Sequence, residues 1–182
     1  MSRFADRNAT ALLVIDMQRD VVAGNHEVER VTDNIAALVE RAHAAGTPVV
    51  WVQDHQELER GSEGWQIVAG LQPAADDLRI EKVYGDSFAG TGLDEQLAGR
   101  SVGRVVVTGA QTDACVRSTL HGALVRGYDV TLVGDAHTTE DLRQWGSPIS
   151  PEQSVAYANL YWSHSRSEGN AGDVVATSDV TF

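Results

Sequence analysis

Cys115 is the only cysteine in the chain, and it follows an apolar, β-branched run that ends at Gly109. Apolar residues then recur at helical spacing, so the pattern predicts that Cys115 lies in the first turn of a helix after a buried strand. Thr112 and Asp113 are candidate caps of that helix. The helix dipole and free N–H groups there would favour a nucleophilic thiolate. Free cysteine is also among the most buried residue types, so position alone does not separate a nucleophile from a packing residue.

Two charged residues at the ends of other predicted strands favour the nucleophile. Asp16 follows the apolar run 11–15, where partial desolvation would raise the pKa of its carboxyl group toward that of a useful base. Lys82, in the weaker run 78–83, would supply a positive charge that stabilises both carboxylate and thiolate. His55 is the only histidine near a predicted strand end and is the weaker candidate for the base. Taken singly, each of these residues is more simply explained as a loop residue or a solvated surface residue. Only their joint placement at strand ends favours a catalytic role.

The elements that must position these residues are strands alternating with helices. Apolar runs that predict buried strands lie at 11–15, 49–52, 78–83, 105–108 and 130–133, with a short one at 174–175. Helical patterns lie between them, which predicts a mostly parallel sheet of about six strands with helices on both faces. Ligands of such sheets bind beyond the carboxyl ends of the strands, which is where Asp16, Lys82 and Cys115 are expected.

Composition narrows the classes of partner. The chain has 182 residues, 42% of them hydrophobic, and a formal net charge of -12. That charge disfavours nucleic acid and anionic membrane surfaces as partners. A single cysteine excludes an internal disulfide and fits a reducing compartment. We see no signal peptide and no run of membrane-spanning length, so we expect a cytoplasmic protein.

Four segments together resemble the isochorismatase-like cysteine hydrolases, which include nicotinamidases, N-carbamoylsarcosine amidases and isochorismatases. They are residues 12–18, Lys82 with residues 87–91, residues 109–116 and residues 127–136. The resemblance implies one domain over residues 1–182 with a Rossmann-like three-layer α/β sandwich. It also implies a catalytic triad of Asp16 as proton acceptor, Lys82 as charge partner and Cys115 as nucleophile.

The same resemblance implies details of the reaction. A cis peptide bond is expected between Ala110 and Gln111, and the N–H groups of Gln111 and Cys115 would form an oxyanion hole. Cys115 would attack a small amide, ammonia or an amine would leave, and the thioester would then be hydrolysed. Similar proteins are often dimers or tetramers, so we expect a homo-oligomer acting on a small molecule.

Three departures from the pattern bear on the substrate. Asp54 and His55 are adjacent and no second histidine follows before Trp65, so we expect no catalytic metal and no cofactor. Val21 stands where many relatives have phenylalanine, five positions after the triad aspartate. Isochorismatases that cleave a vinyl ether typically lack the cysteine, so Cys115 favours carbonyl chemistry.

Two other functions stay open from the sequence: a vinyl-ether hydrolase that uses Asp16 as the acid, and a non-catalytic oligomeric binding scaffold. A mixture of apolar and hydrogen-bonding side chains is predicted to bind the substrate. These residues are Val21, His55, Trp65, Tyr84, Phe88 and His137.

Overall fold

The fold is built around one seven-stranded β-sheet. The computed structural model describes residues 2–182. Its strands are β1 (Ala9–Ile15), β2 (Val49–Asp54), β3 (Leu78–Lys82), β4 (Val102–Ala110), β5 (Asp129–Thr138), β6 (Arg166–Ser167) and β7 (Asn170–Val175). Its α-helices are α1 (Arg19–Val22), α2 (Val28–Ala44), α3 (Leu93–Ala98), α4 (Arg117–Arg126) and α5 (Pro151–Ser163).

The strands lie in the order β3-β2-β1-β4-β5-β7-β6. The sheet is parallel except at one edge, where β6 pairs with β7 in antiparallel register. Every other neighbouring pair is parallel, which confirms the predicted α/β class. The structure has one strand more than the predicted six, because the two residues of β6 are too short to give a periodic signal. The order of strands reverses between β1 and β4, so ligands are expected at the carboxyl ends of these two.

Helices cover both faces of the sheet, which explains the continuous apolar run of β1. Successive side chains of a strand point to opposite faces. Leu13 and Ile15 pack in the cluster that contains residues of α3 and α4. Leu12 and Val14 pack in the cluster on the opposite face, with α2. All four side chains are buried, so the fold is a three-layer sandwich.

Helices α2 and α5 lie between strands, as the alternating pattern predicts. In α2 the apolar positions Val31, Ile35 and Leu38 are buried against the sheet. Helix α5 begins with a capping box, in which the Ser150 side chain accepts from the Gln153 N–H group and the Gln153 side chain accepts from that of Ser150. Within residues 2–182, no helix is both long and apolar enough to cross a bilayer.

Gly109 allows β4 to pass close to β1. Its φ angle is +112°, and a Cβ atom there would lie 2.0 Å from the carbonyl oxygen of Ile15. Replacement of Gly109 by alanine is therefore expected to lower the free energy of unfolding by about 3 kcal/mol, through backbone strain and steric overlap. Urea denaturation measures this change. The matched control is Gly92→Ala, because a Cβ atom at Gly92 meets no atom within 4 Å; equal stability of the two variants would contradict the prediction.

Candidate active site

A buried ion pair lies at the carboxyl ends of β1 and β3. Asp16 directly follows β1, with a φ angle of +50°, and is 1% exposed. Lys82 is the last residue of β3, and its Nζ atom lies 2.7 Å from Oδ2 of Asp16. Strand β2 separates the two strands, so the contact depends on the length of the lysine side chain.

Cys115 completes this group. Its sulfur accepts a hydrogen bond from Lys82 Nζ at 3.3 Å. The residue lies in a π-helical turn, Thr112–Val116, that leads from β4 into α4. The peptide bond between Ala110 and Gln111, at the end of β4, is cis. The structure therefore brings together the three residues that the sequence singles out.

The predicted caps of the helix are wrong, because both side chains bond to the neighbouring strand β5 and its continuation. Thr112 Oγ1 forms a 2.8 Å hydrogen bond with Nδ1 of His137. Asp113 Oδ1 accepts from the Thr139 hydroxyl at 2.7 Å. His137 also donates from Nε2 to Asn159 at 2.9 Å. His137 is thus buried and joins β5 to the turn of Cys115 and to α5. The prediction that it binds the substrate is corrected, because it does not line the cavity that contains Cys115.

Burial and mutual charge shift the pKa values of all three groups. Burial, together with the negative charge of Asp16, raises the pKa of the Cys115 thiol to about 12, although Lys82 opposes this. Burial raises the pKa of Asp16 to about 6, against the opposing charge of Lys82. Burial alone would lower the pKa of Lys82, but Asp16 and Cys115 outweigh it and the pKa is raised. Near neutral pH these shifts favour a carboxylate, an ammonium and a protonated thiol.

This arrangement suits proton transfer during attack. Oδ1 of Asp16 is buried and has no hydrogen-bond partner among residues 2–182. It is a free acceptor beside a thiol that carries its proton, and general-base catalysis needs such a pair. The nucleophile would be generated as it reacts, and not stored as a thiolate.

A cavity of about 290 Å³ has both Asp16 and Cys115 in its wall. The apolar part of the wall includes Val21 and Leu58. The polar part consists of two amides and four further carboxylates, from Asn25, Gln111, Asp20, Asp54, Glu57 and Glu140. A small molecule in this cavity would lie against both the thiol and a dense group of acids.

Of the six side chains predicted to bind substrate, only Val21 lines this cavity. His55 turns toward Arg60, with 3.0 Å between His55 Nε2 and Arg60 Nη2. Tyr84 is 61% exposed at the surface. These two predictions are therefore corrected, because both side chains lie outside the cavity wall.

Trp65 and Phe88, which were also predicted to bind the substrate, lie outside the cavity wall as well. The carbonyl oxygen of Trp65 accepts from the Gln18 side chain at 3.2 Å. Phe88 is buried, and its ring lies 5.7 Å from that of Tyr128. Neither residue lines the cavity.

The side chains of two glutamines hold the cavity wall in place, a role that the sequence does not predict for either of them. Gln18 donates to the carbonyl of Asp54 at 2.9 Å and accepts from its N–H group at 2.7 Å, as a neighbouring strand would. The Gln111 side chain donates to the carbonyl of Val21 at 2.8 Å and accepts from Asn25 at 2.8 Å. Gln18 lies inside the motif 12–18, and this position was the one available signal in the sequence.

Asp54 and His55 do not fit a metal site. Asp54 Oδ1 lies 3.8 Å from the ammonium of Lys82, and His55 contacts Arg60. Within the described residues 2–182, no group of three His, Cys, Asp or Glu side chains is placed to hold a metal ion. The expectation of a metal-free site stays a prediction.

Comparison with known proteins gives a match to the isochorismatase domain over residues 10–146. Streptothricin hydrolase of Streptomyces noursei is 35% identical over 145 residues, which cover 76% of this chain and 58% of the relative. The chain thus spans little more than half the length of that relative. Ureidoacrylate amidohydrolase RutB of Acinetobacter baylyi is 28% identical over 170 residues, which cover 70% of this chain and 69% of the relative.

The fold is also shared with solved structures. A crystal structure from Burkholderia xenovorans LB400 superposes with a TM-score of 0.85 at 30% identity. The superposition covers 95% of this chain and 86% of the other.

Proposed function

The chain belongs to the isochorismatase family of hydrolases, and from this premise we propose that it is a metal-independent cysteine amidase. It would cleave the C–N bond of a small carboxamide through a thioester intermediate. The observation that carries the proposal is the position of the Lys82 ammonium, 2.7 Å from the Asp16 carboxylate and 3.3 Å from the Cys115 sulfur. The name of ureidoacrylate amidohydrolase, a relative, supports amide chemistry.

In the proposed first half-reaction, Asp16 takes the thiol proton as the sulfur of Cys115 attacks the amide carbonyl. The N–H groups of Gln111 and Cys115 would hold the resulting oxyanion. Asp16 then gives the proton to the nitrogen, the C–N bond breaks, and ammonia or an amine leaves. Lys82 stays protonated throughout and compensates negative charge on the carboxylate or the sulfur.

In the second half-reaction, Asp16 takes a proton from a water molecule that attacks the thioester. The C–S bond breaks, the proton returns to the sulfur of Cys115, and the carboxylic acid product leaves. The free acceptor Oδ1 of Asp16 supports its use as the base in both halves.

The direct test is ammonia release from a panel of small amides, followed by intact-protein mass spectrometry after an acid quench. Because Cys115 is the only cysteine, an added acyl group that hydroxylamine removes would locate the thioester on it. Ammonia release with an acylated Cys115 is the expected result. A chain that releases ammonia from no member of the panel, and forms no adduct, would contradict the proposal.

The pH dependence should follow Asp16. Only the ionised carboxylate can accept the thiol proton, and the pKa of Asp16 is raised to about 6. We therefore expect kcat/KM to be constant above this pH and to fall about tenfold per unit of pH below it. Initial rates in buffers of constant ionic strength measure the profile. A profile that rises on acidification would instead indicate that Asp16 acts as an acid, as vinyl-ether hydrolysis requires.

We also propose that the protein forms a homo-oligomer. Tyr157 and Leu160 lie three residues apart on α5 and are 65% and 59% exposed. Large apolar side chains that are neighbours on an exposed helix face are typical of protein interfaces. Size-exclusion chromatography with light scattering measures the mass, and a monomer would contradict the proposal.

A further inference from the structure

We propose that the amide substrate carries a positively charged amino or guanidinium group, which the carboxylates of the cavity wall hold close to Cys115. This inference rests on the proposed amidase function and specifies the class of substrate for the same cavity.

All charged residues in the cavity wall are acidic. Besides Asp16 they are Asp20, Asp54, Glu57 and Glu140. Such a concentration of one sign of charge in a cleft raises the local concentration of ligands of opposite charge.

Little of this negative charge is neutralised by the protein. Lys82 pairs with Asp16 and lies 3.8 Å from Asp54. In the part of the chain that the structure describes, residues 2–182, the other three wall carboxylates form no ion pair with a basic side chain. A ligand cation can supply the missing partner.

A second observation points to a ligand in the same cavity. Asp16 is 1% exposed, lines the cavity, and its Oδ1 atom has no hydrogen-bond partner within residues 2–182. A buried, unpaired carboxylate oxygen is costly unless a donor reaches it. The thiol proton of Cys115 is the donor that the protein itself brings to this carboxylate, and an N–H group of a bound ligand is a donor from outside the protein.

The cavity wall has no free basic or amide side chain that could bind an anionic substrate. Its two side-chain amides are already engaged, since Asn25 Nδ2 donates to Gln111 at 2.8 Å and Gln111 Nε2 donates to the Val21 carbonyl at 2.8 Å. A carboxylate in the cavity would meet acids and no free basic group, so the wall both attracts cations and rejects anions. Among residues 2–182, no three of these acids are placed to hold a metal ion.

Alkylation of Cys115 tests the charge preference without requiring the natural substrate. The probes are three chloroacetamides that share one electrophile and carry an aminoethyl, a propyl or a carboxymethyl group on nitrogen. Each rate is divided by the rate of the same probe with mercaptoethanol, which removes differences in intrinsic reactivity. We expect the cationic probe to react at least about tenfold faster than the anionic one, with the neutral probe between them. The ratio should shrink in about 0.5 M salt, because screening weakens the field of the carboxylates.

Matched variants connect the preference to the wall. In a triple variant, Asp20→Asn with Glu57→Gln and Glu140→Gln, the ratio of cationic to anionic rates should fall toward one. The control is Glu59→Gln, which removes an exposed carboxylate two residues from Glu57 and outside the cavity wall. The control should keep the wild-type ratio. Because the rates of three probes with the same thiol are compared, a change in thiol pKa in a variant cancels in the ratio.

Hydrolysis of beta-alaninamide, butanamide and succinamate, which differ mainly in charge, extends the test to turnover. The expected order of kcat/KM is cationic, then neutral, then anionic. Equal alkylation of Cys115 by all three probes, faster reaction of the anionic one, or no alkylation at all would overturn the inference. If ammonia is released without any charge preference, only this inference fails. If the cationic probe is preferred but no amide in any panel is hydrolysed, the proposed amidase function fails and the preference of the cavity for cations stands.

Discussion

Replacement of Cys115 by serine is expected to lower kcat/KM by about 1000-fold or more while the fold is kept. The loss follows from the chemistry, because an alcohol is a far weaker nucleophile than a thiol and Asp16 is a modest base. The fold should tolerate the change, because Cys115 is only half-buried. The hydroxyl oxygen of serine would also occupy nearly the same position as the sulfur of cysteine. Steady-state ammonia release measures the activity, and thermal unfolding monitored by circular dichroism measures the fold.

The matched control is Ala114→Ser, which adds the same hydroxyl group to an exposed neighbour outside the cavity wall. It should keep wild-type activity. A second variant, Cys115→Ala, separates the alternatives. If Cys115→Ala stays active and Asp16→Asn does not, the chemistry is acid-catalysed ether hydrolysis and the thioester mechanism is wrong. A non-catalytic scaffold would show no turnover in the wild type and an inert thiol.

Replacement of Lys82 by methionine is expected to lower the free energy of unfolding by roughly 3–5 kcal/mol at neutral pH, as removal of one partner from a buried ion pair does. It leaves the Asp16 carboxylate buried without a counter-charge. The pKa of Asp16, already raised to about 6, should rise further. An acid whose pKa is higher in the folded state destabilises the fold increasingly as pH rises, so the loss of stability should be greater at alkaline than at acidic pH. Activity should be lost as well, because a protonated Asp16 cannot act as a base.

The double variant Asp16→Asn with Lys82→Met provides the control. It removes both charges, so most of the lost stability should return, while activity should not. Urea denaturation at several pH values measures the three proteins. A Lys82→Met protein as stable as the wild type at alkaline pH would show that Asp16 and Lys82 are not coupled as the 2.7 Å contact indicates.

The sheet and its helices could be predicted because their pattern is regular. Apolar runs such as 11–15 are buried on both faces and lie between amphipathic helices, and this arrangement is typical of one fold class. The carboxyl ends of parallel strands share one edge, so Asp16 and Lys82 were expected near each other, and they form an ion pair. Their catalytic roles, and that of Cys115, stay predictions.

The cavity wall could not be predicted, because it is built from loops without periodicity. Asp20, Glu57 and Glu140 look like ordinary solvated acids in the sequence, and only the three-dimensional fold brings them together. Aromatic residues were the more obvious candidates, but Phe88 packs against Tyr128 in the core.

The direction in which the pKa of Cys115 is shifted could not be predicted for a related reason. Helix position and a nearby lysine can be read from spacing. The burial of Cys115 and its closeness to the Asp16 charge, which raise its pKa to about 12, depend on packing.

The position of β3 at one edge of the sheet would make the proposed activity depend on a strand with a single neighbour. Strand β3 pairs only with β2, yet its last residue, Lys82, supplies the charge between Asp16 and Cys115. Edge elements open in local unfolding events at a lower free energy than central strands do, and hydrogen exchange detects these events. Opening of Leu78–Lys82 would withdraw the ammonium while β1 and β4 stayed folded. Activity should therefore disappear at a lower denaturant concentration than the central sheet does, with the amides of β3 exchanging before those of β1.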